Sequence, residues 1–325
     1  VVRESVDEVV HRSVEYLRSL RGPGSGETPA TIAQWGRIVC PLPPREGTSA
    51  VELATVVGLV VAVGACLGSV VLEGGHLGAL VNIPAAVIVF GGTFGATIVS
   101  YRLRDILQLP IILKQAFFAP ELDPVAEIHT IVEMARLARR EGFLGLEKEV
   151  EQMRQRNPFL AKALQMVADG TAADTVTEVL ETELAQLGQR HSKSASILTT
   201  MGGLAPTLGV TGTVMGLAHM MGKLEDPSSM GPAIAGAFLA TLYGVASANL
   251  IFLPLGNKLR LLSKQEQFIC EIVIEGVRLI QRGESPILVA ESLKAFVMPK
   301  LRLHLETGLD SARTEEDKGG QAKAS

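Results

Sequence analysis

The sequence predicts an all-α integral membrane protein, with four transmembrane helices in two hairpins and a large helical cytoplasmic domain. Hydrophobic residues make up 47% of the 325 residues, aromatic residues only 4%, and the mean hydropathy is +0.30, which is too apolar for an ordinary soluble domain. The 30 Lys and Arg residues are unevenly spread, since none lies between Val51 and Tyr101 and only Lys223 lies between Ser194 and Gly256. Two blocks of the chain are therefore suited to lipid.

Four apolar stretches are long enough to cross the hydrocarbon core of a membrane, which takes about 20 helical residues. The first two are joined by "EGGH" and the last two by "GKLEDPSSMG", so each pair predicts a helical hairpin, at residues 51–101 and 196–256. In chain order the predicted spans are Leu53–Leu72, Leu77–Tyr101, Ser196–Met221 and Pro232–Gly256.

The distribution of basic residues orients these spans. Twelve Lys and Arg residues lie between the hairpins, eleven follow the last span, six precede the first span and one lies in the short turns. Basic residues concentrate on the cytoplasmic side of membrane proteins. We therefore predict a cytoplasmic helical domain at 102–195, cytoplasmic C-terminal helices at 257–303, and both termini in the cytoplasm.

The two ends of the chain differ from the rest in composition. After a possible helix up to Leu20, the chain is rich in Gly, Pro, Ser and Thr as far as position 50. Such composition is typical of segments without a packed core, so we expect a low-complexity, largely disordered extension at 1–50 and a disordered tail at 304–325. Because the sequence from Val51 looks like a natural beginning, we hypothesise that the functional protein starts there.

The cytoplasmic block shows a helical pattern. Asp123 followed by Pro124 is a typical helix start, and Gly142 is expected to end that helix before a new one resumes near Leu146. A second amphipathic run continues from Asp174 into the third span, and another long helix leaves the fourth span. We therefore expect continuous helices that connect the cytoplasm with the membrane. On spacing alone, the charges around position 140 form a solvated helix face.

Charge is absent from the interiors of the predicted spans. Ionisable residues inside a bilayer usually mark ion pathways, but Glu52, Glu73, His76 and His219 lie at span ends or in turns. If this protein moves ions, the carboxylate that binds them must come from another chain.

No enzyme class is supported by the motifs. The sequence has no Gly-rich phosphate loop, no metal-ligand cluster and no nucleophile with a plausible base, so we expect neither a cofactor nor a metal. Cys40, Cys66 and Cys270 lie far apart and are interpreted as reduced and structural. The net charge of -4 gives no basic field that would attract nucleic acid.

Small residues recur at helical spacing in the third and fourth spans. Such stripes let helix backbones approach closely in lipid, so the simplest interpretation is that the two spans pack on each other. The threonine hydroxyls in them either bond to their own backbone or face a partner helix or water, and Pro206 and Pro254 predict kinks or hinges. The stripe of the third span is Gly202, Pro206, Gly209, Thr213 and Gly216, and that of the fourth is Ala237, Thr241, Gly244 and Ala248.

Several separate motifs resemble a known family. They are "ELATVVGLV" in the first span, "ARLARREGFLGLE" in the cytoplasmic block, "GGLAPTLGVTGTVMGL" in the third span, "MGPAIAGAFLATLYG" and "ANLIFLPLGNKL" in the fourth, and "EGVRLIQRGESP" near the end. From about Val51 to Pro299 the chain is similar to the flagellar stator branch, MotA and PomA, of the MotA/TolQ/ExbB ion-channel family. The TolQ and ExbB branches usually have three spans and lack the cytoplasmic segment, so the stator branch is favoured.

The resemblance implies an ion-driven rotary machine in the bacterial inner membrane. In this family a pentameric ring surrounds two copies of MotB, a single-span protein that carries the ion-binding aspartate and grips peptidoglycan. Ion passage turns the ring, which pushes on the rotor protein FliG and generates torque for motility. Two alternatives stay open: an ExbB-like or TolQ-like energiser of an outer-membrane system, and a membrane scaffold that conducts nothing.

The resemblance also assigns roles to particular residues. Arg139 and Glu147 match the charged pair that engages the rotor, Pro206 and Pro254 match prolines implicated in coupling, and Thr213 matches a channel-lining threonine.

The choice of ion depends on two adjacent positions. Sodium-type relatives usually carry two neighbouring threonines where this chain has Ala240 and Thr241, which we expect to line the channel with Thr213. Hydroxyl oxygens at both positions could help to replace the hydration shell of sodium. Because Ala240 has no hydroxyl group, we predict proton coupling, with sodium as the alternative.

Overall fold

The structure is a computed structural model that describes residues 53–106, 109, 113, 116–117, 122–222, 227–299 and 302. The expected extension at 1–50, the proposed start at Val51 and the expected tail at 304–325 lie outside these residues. Every regular element in the described part of the chain is helical, as the sequence predicts.

The helices are named here in chain order. They are α1 (Leu53–Leu72), α2 (Ile83–Ser100), α3 (Leu103–Ile106), α4 (Pro124–Glu141), α5 (Glu147–Arg156), α6 (Pro158–Ala168), α7 (Ala173–Met221), α8 (Pro227–Ser247), α9 (Leu253–Gln281) and α10 (Pro286–Lys294). Single 3-10 turns lie at Leu77–Leu80 and Phe143–Leu146, and wider π-helical turns lie inside α2 at Val87–Gly91 and between α8 and α9 at Ala248–Phe252.

Helix α1 has the bounds predicted for the first span, whereas α2 begins later than the predicted second span. The first residues of that predicted span, Leu77–Leu80, form a separate 3-10 turn, and the continuous helix starts at Ile83. Asn82 causes the interruption, because its backbone is extended and its side-chain oxygen accepts the N–H of Ala85 at 3.0 Å. This N-cap satisfies one of the unpaired donors of the new helix.

The predicted start and end of the first cytoplasmic helix are confirmed. The Asp123 carboxylate accepts the N–H of Val125 at 2.9 Å, and Pro124 occupies the first turn of α4. Gly142 ends the helix with φ of 76°, a left-handed conformation that favours glycine.

The two longest helices continue from the predicted spans into the predicted cytoplasmic domain. Helix α7 has 49 residues and continues through Gly202 and Pro206 without a break. Helix α9 has 29 residues and follows α8 directly through the π-helical turn. Both continuous connections agree with the sequence prediction.

A core outside the predicted spans is shared by α4, α6, α9 and α10, with α9 at its centre. Large side chains from four helices are fully buried there: Ile128, Ile131, Leu160, Leu164, Ile272 and Leu293. Burying an aliphatic side chain of this size stabilises a fold by about 1.5–3 kcal/mol. Helix α1 is different, because none of its apolar residues from Thr55 to Leu72 is buried in the chain.

Three described helices are long and apolar enough to cross a membrane. They contain Thr55–Leu72, Ile83–Ser100 and part of Met230–Gln281, with mean hydropathies of 2.5, 1.8 and 1.7. The predicted third span is not among them, because its glycines, threonines and proline lower its hydropathy. The four-span count therefore stays a prediction.

Candidate ion path and rotor-facing residues

The two predicted stripes of small residues pack on each other. A Cβ atom added at Gly244 would lie 2.4 Å from the carbonyl oxygen of Ala205, and one added at Gly209 would lie 2.8 Å from that of Ala240. Nearer the end of α7, a Cβ on Gly216 would lie 2.9 Å from the methyl carbon of Ala237. The backbones of α7 and α8 are therefore in direct contact, and the prediction that the spans pack together is confirmed.

The structure brings two predicted channel-lining residues together at this contact. The Thr213 hydroxyl lies within hydrogen-bond distance of the Thr241 hydroxyl, 2.9 Å from the carbonyl oxygen of Ala237 and 3.1 Å from that of Gly209. Four oxygens are thus grouped on the facing surfaces of two helices, and the two hydroxyls supply only two protons among them. Each hydroxyl is half-buried. The oxygens of the cluster can form hydrogen bonds with a proton carrier or coordinate a small cation.

Ala240 lies apart from this cluster. Its side chain is 1% exposed and packs with Ala85 and Val89, at the start of α2. A Cβ on Gly212 would lie 2.8 Å from the Ala240 methyl group and 3.3 Å from Ile88. The methyl group of Ala240 therefore lies between α2 and Gly212 of α7, whereas Thr241 meets Thr213, a difference that follows from the 100° step of an α-helix.

The two predicted coupling prolines lie near one contact. Pro206 lies inside α7, and the carbonyl group that it leaves without an intrahelical donor belongs to Gly202. Pro254 lies in the first turn of α9, next to Leu253, directly after the π-helical turn. A Cβ on Gly202 would lie 2.6 Å from the Leu253 side chain, so the two segments touch. Prolines and π-helical turns are where helices commonly bend.

The predicted rotor-facing pair lies at the tip between α4 and α5. Arg139 is in the last turn of α4 and Glu147 begins α5, and both side chains are exposed. Between them Phe143 is 39% exposed and Leu144 is 73% exposed, while Leu146 is fully buried and anchors the turn. The tip presents charge of both signs with an apolar centre.

Two other contacts were not predicted from the sequence pattern. The Tyr243 hydroxyl bonds to the backbone near Leu80 and Asn82, far away in the chain. His191 of α7 lies 3.3 Å from Glu266 of α9, and burial raises the pKa of Glu266 to about 7. A tyrosine in an otherwise uncharged span hints at the first contact, but no spacing rule joins the second pair.

Comparison with known proteins identifies the family. Residues 56–142 match the family described as Motility protein A N-terminal, and residues 151–271 match the MotA/TolQ/ExbB proton channel family. Motility protein A of Borreliella burgdorferi is 33% identical over 258 residues, which are 79% of this chain and 98% of that protein. The chain belongs to the motility protein A family.

Other members and solved structures agree. PomA of Vibrio alginolyticus is 33% identical over 246 residues, covering 76% of this chain and 95% of PomA. The flagellar MotAB stator complex of Bacillus subtilis matches with a TM-score of 0.72 at 33% identity, covering 77% of this chain and 98% of the matched chain. The C. jejuni MotAB structure matches with a TM-score of 0.72 at 27% identity, over 76% of this chain and 96% of its own.

Membership decides between the predicted alternatives. The protein is a membrane-embedded, MotA-like stator subunit of an ion channel that drives flagellar motility, and the ExbB-like or TolQ-like energiser is set aside. The resemblance to the stator branch is thereby confirmed.

Proposed function

We propose that this stator subunit conducts protons along the contact between α7 and α8, together with a MotB-like single-span partner that supplies the ion-binding carboxylate. The supporting observation is the cluster of Thr213 and Thr241 hydroxyls with two backbone carbonyls, on a surface lined by glycine and alanine. The predicted spans contain no charged side chain in their interiors, so a partner must contribute one.

The proposed assembly follows the family. Five copies form a ring around two copies of the partner in the bacterial inner membrane, each copy having four spans and cytoplasmic termini. MotB is the partner in the solved stator complexes of Bacillus subtilis and C. jejuni. Placing α7 in the membrane as the third span is supported by its close backbone contact with α8.

The proposed path for torque runs from the spans to the tip between α4 and α5. Movement at the Thr213 cluster is passed through the Pro206 and Pro254 segments, which touch at Gly202 and Leu253, to the cytoplasmic helices. The exposed Arg139 and Glu147 then engage the rotor protein FliG. Opposite charges at the tip favour a partner with a complementary pattern.

Thr213→Val tests the conducting role of the cluster. The substitution keeps the shape of the side chain but removes its hydroxyl, so we expect ion flow and swimming speed under low load to fall by about tenfold, the effect of losing roughly 1.4 kcal/mol at the limiting step. Ion flow is measured as the change in internal pH of cells that overproduce the stator with its partner.

Thr211→Val is the matched control. Thr211 is exposed on the same helix, and its hydroxyl donates only to the carbonyl of Thr207 in its own helix, at 2.9 Å. We expect near-normal flow from this variant. If both variants, present in the membrane at equal amounts, conduct normally, the cluster does not line the path.

The identity of the ion is tested separately. With proton coupling, a protonophore stops rotation and external sodium has no effect on speed. A speed that follows external sodium and survives the protonophore would establish sodium coupling instead. Ala240→Thr is the companion variant, because it creates the adjacent pair of threonines found in sodium-type relatives.

A further inference from the structure

The contact between α7 and α8 is made by short side chains. Its facing residues are glycine, alanine and threonine, whose short side chains do not interlock as large ones do. Small residues let the backbones touch, but they resist a slide of one helix along the other only weakly. The Thr213 cluster nevertheless requires a fixed register, because the bonds of the Thr213 hydroxyl to the Ala237 carbonyl, at 2.9 Å, and to the Thr241 hydroxyl cross between the helices and would be lost after a shift of about 1 Å.

On the opposite surface of α8, the Tyr243 hydroxyl forms two hydrogen bonds to the backbone. The Tyr243 hydroxyl donates to the carbonyl oxygen of Leu80 and accepts the backbone N–H of Asn82 at 2.9 Å. Both partners belong to the turn that precedes α2. Hydrogen bonds are directional, so these two bonds of Tyr243 hold α8 at one position along its axis.

Other contacts around Tyr243 support the same register. Its ring stacks on Phe90 of α2 with a centroid distance of 6.3 Å and an interplanar angle of 26°. Two turns before Tyr243 in α8, Gly236 lies against Asn82. A Cβ added at Gly236 would be 2.9 Å from the side-chain nitrogen of Asn82. Asn82 is itself held in place by its N-cap bond to Ala85. The hydrogen bonds of Tyr243 therefore end on a turn whose conformation is itself fixed by the N-cap of α2.

Helix α8 is thus held between two neighbours of different character. Thr241 faces α7, whereas Tyr243, two residues later, is about 200° away around the helix and faces the turn before α2. A displacement of Tyr243 would move Thr241 with it, because both side chains project from the same rigid helical segment.

We propose that Tyr243 is a positioning residue for ion conduction, which sets the axial register of α8 so that Thr241 meets Thr213. It does not touch the ion. This inference rests on the proposed role of the Thr213 cluster and assigns the register of that cluster to a residue outside the path.

The test is a double-mutant cycle on ion flow with Tyr243→Phe and Thr213→Val. Tyr243→Phe keeps the ring but removes both hydrogen bonds, and we expect ion flow per assembled stator to fall about three- to tenfold. In the Thr213→Val background, Tyr243→Phe should lower the flow less than twofold further, because its effect passes through the cluster that is already lost. If Tyr243→Phe acted only through a general structural defect, the double variant would show the product of the two separate losses of flow.

Tyr101→Phe is the control for loss of a tyrosine hydroxyl. Tyr101 also bonds across helices, to the hydroxyl of Thr200 at 2.8 Å, but at the other end of α2. We expect less than a twofold change in flow from this variant, and additivity with Thr213→Val.

A second variant covers failure of Tyr243→Phe to assemble. Phe90→Leu removes the stacked ring and leaves the tyrosine hydroxyl in place, so we expect a smaller loss of flow that again disappears in the Thr213→Val background. Multiplicative losses in either cycle overturn the positioning role while leaving the conducting role of Thr213 intact. Normal flow in Thr213→Val overturns both proposals.

Discussion

The contact between α7 and α8 and the core around α9 use opposite packing strategies. In the contact between α7 and α8, glycine brings backbone against backbone, with a Cβ on Gly244 only 2.4 Å from a carbonyl oxygen. In the core around α9, large aliphatic side chains such as Ile272 are buried, and a glycine there, Gly276, is covered by the side chains of Ile131 and Leu293.

The difference follows from the two solvents. Burying apolar surface stabilises helix contacts in water, but lipid is as apolar as leucine and offers no such gain. Helices in lipid gain more from close backbone approach and from hydrogen bonds, so the proposed membrane location of α7 and α8 accounts for the glycines and hydroxyls between them. His191 and Glu266, which contact each other and are partly buried, lie outside the predicted spans.

Gly244→Ala should show the largest effect of the variants that compare the two regions. The added methyl group would meet the Ala205 carbonyl and the Gly209 backbone, neither of which can turn aside. We expect a loss of about 3 kcal/mol, at the upper end of the range for overpacking, measured by SDS-induced unfolding of the purified complex.

The matched control for this variant is Gly95→Ala in α2, where nothing lies within 4 Å of the new Cβ. The stability of Gly95→Ala should equal that of the wild type or exceed it by up to about 1 kcal/mol, because alanine has the higher helix propensity. Equal stability of the two variants would mean that close backbone approach is not what joins α7 and α8.

Glu266→Gln tests the charged contact on the cytoplasmic side. Burial raises the pKa of Glu266 to about 7, against the opposing effect of Arg190, so the folded protein holds this proton more tightly than the unfolded chain does. Its stabilising contribution is complete below pH 4.5 and is lost as the pH rises through 7. Since an amide does not titrate, the stability of the variant relative to wild type should grow by about 1–2 kcal/mol between pH 5.5 and 8.

Thermal unfolding of the purified complex at several pH values measures this difference. The pKa of His191 is lowered by burial and by Arg190, and His191 contacts Glu266, so its titration also changes in the variant and the comparison is repeated in a His191→Gln background. Glu271→Gln, an exposed position on the same helix, is the control for replacing a glutamate by glutamine. A constant difference between Glu266→Gln and wild type would mean that Glu266 ionises normally.

Gly276→Ala should have the smallest effect of the three. Its new Cβ would lie 2.5 Å from the Cγ2 methyl carbon of the buried Ile131, which must move away, but a side chain can change its rotamer whereas a backbone carbonyl cannot. We expect a loss of about 1 kcal/mol, and no change from Gly188→Ala, which meets only the flexible end of Gln267 at 3.1 Å. A loss as large as that of Gly244→Ala would remove the distinction between the two regions.

Much of this architecture follows from local sequence signals. The start of α4 at Asp123 and Pro124 and its end at Gly142 were predictable, because caps and breakers act within a few residues. The stripes that join α7 and α8 follow from helical periodicity. The start of α2 was not predicted, because the N-cap at Asn82 lies inside an apolar run where hydropathy gives no boundary.

Periodicity also could not assign neighbours. It placed Thr213 and Thr241 on small-residue stripes but left open whether their hydroxyls face each other, their own backbones or a partner. Ala240 and Thr241 are adjacent in sequence, yet one packs on α2 and the other meets Thr213. The contacts of Tyr243 with Leu80 and of His191 with Glu266 depend on how distant helices align, which no local pattern records.

The sequence by itself determined the helical class, the apolar stretches, the uncharged span interiors and the family, because hydropathy, helical period and motifs are properties of short stretches. Only the tertiary structure decided the register of α8 between its two neighbours, the grouping of four oxygens around Thr213, and the burial that raises the pKa of Glu266. These features depend on distances between segments far apart in the chain, and such distances are set by packing rather than by local preference.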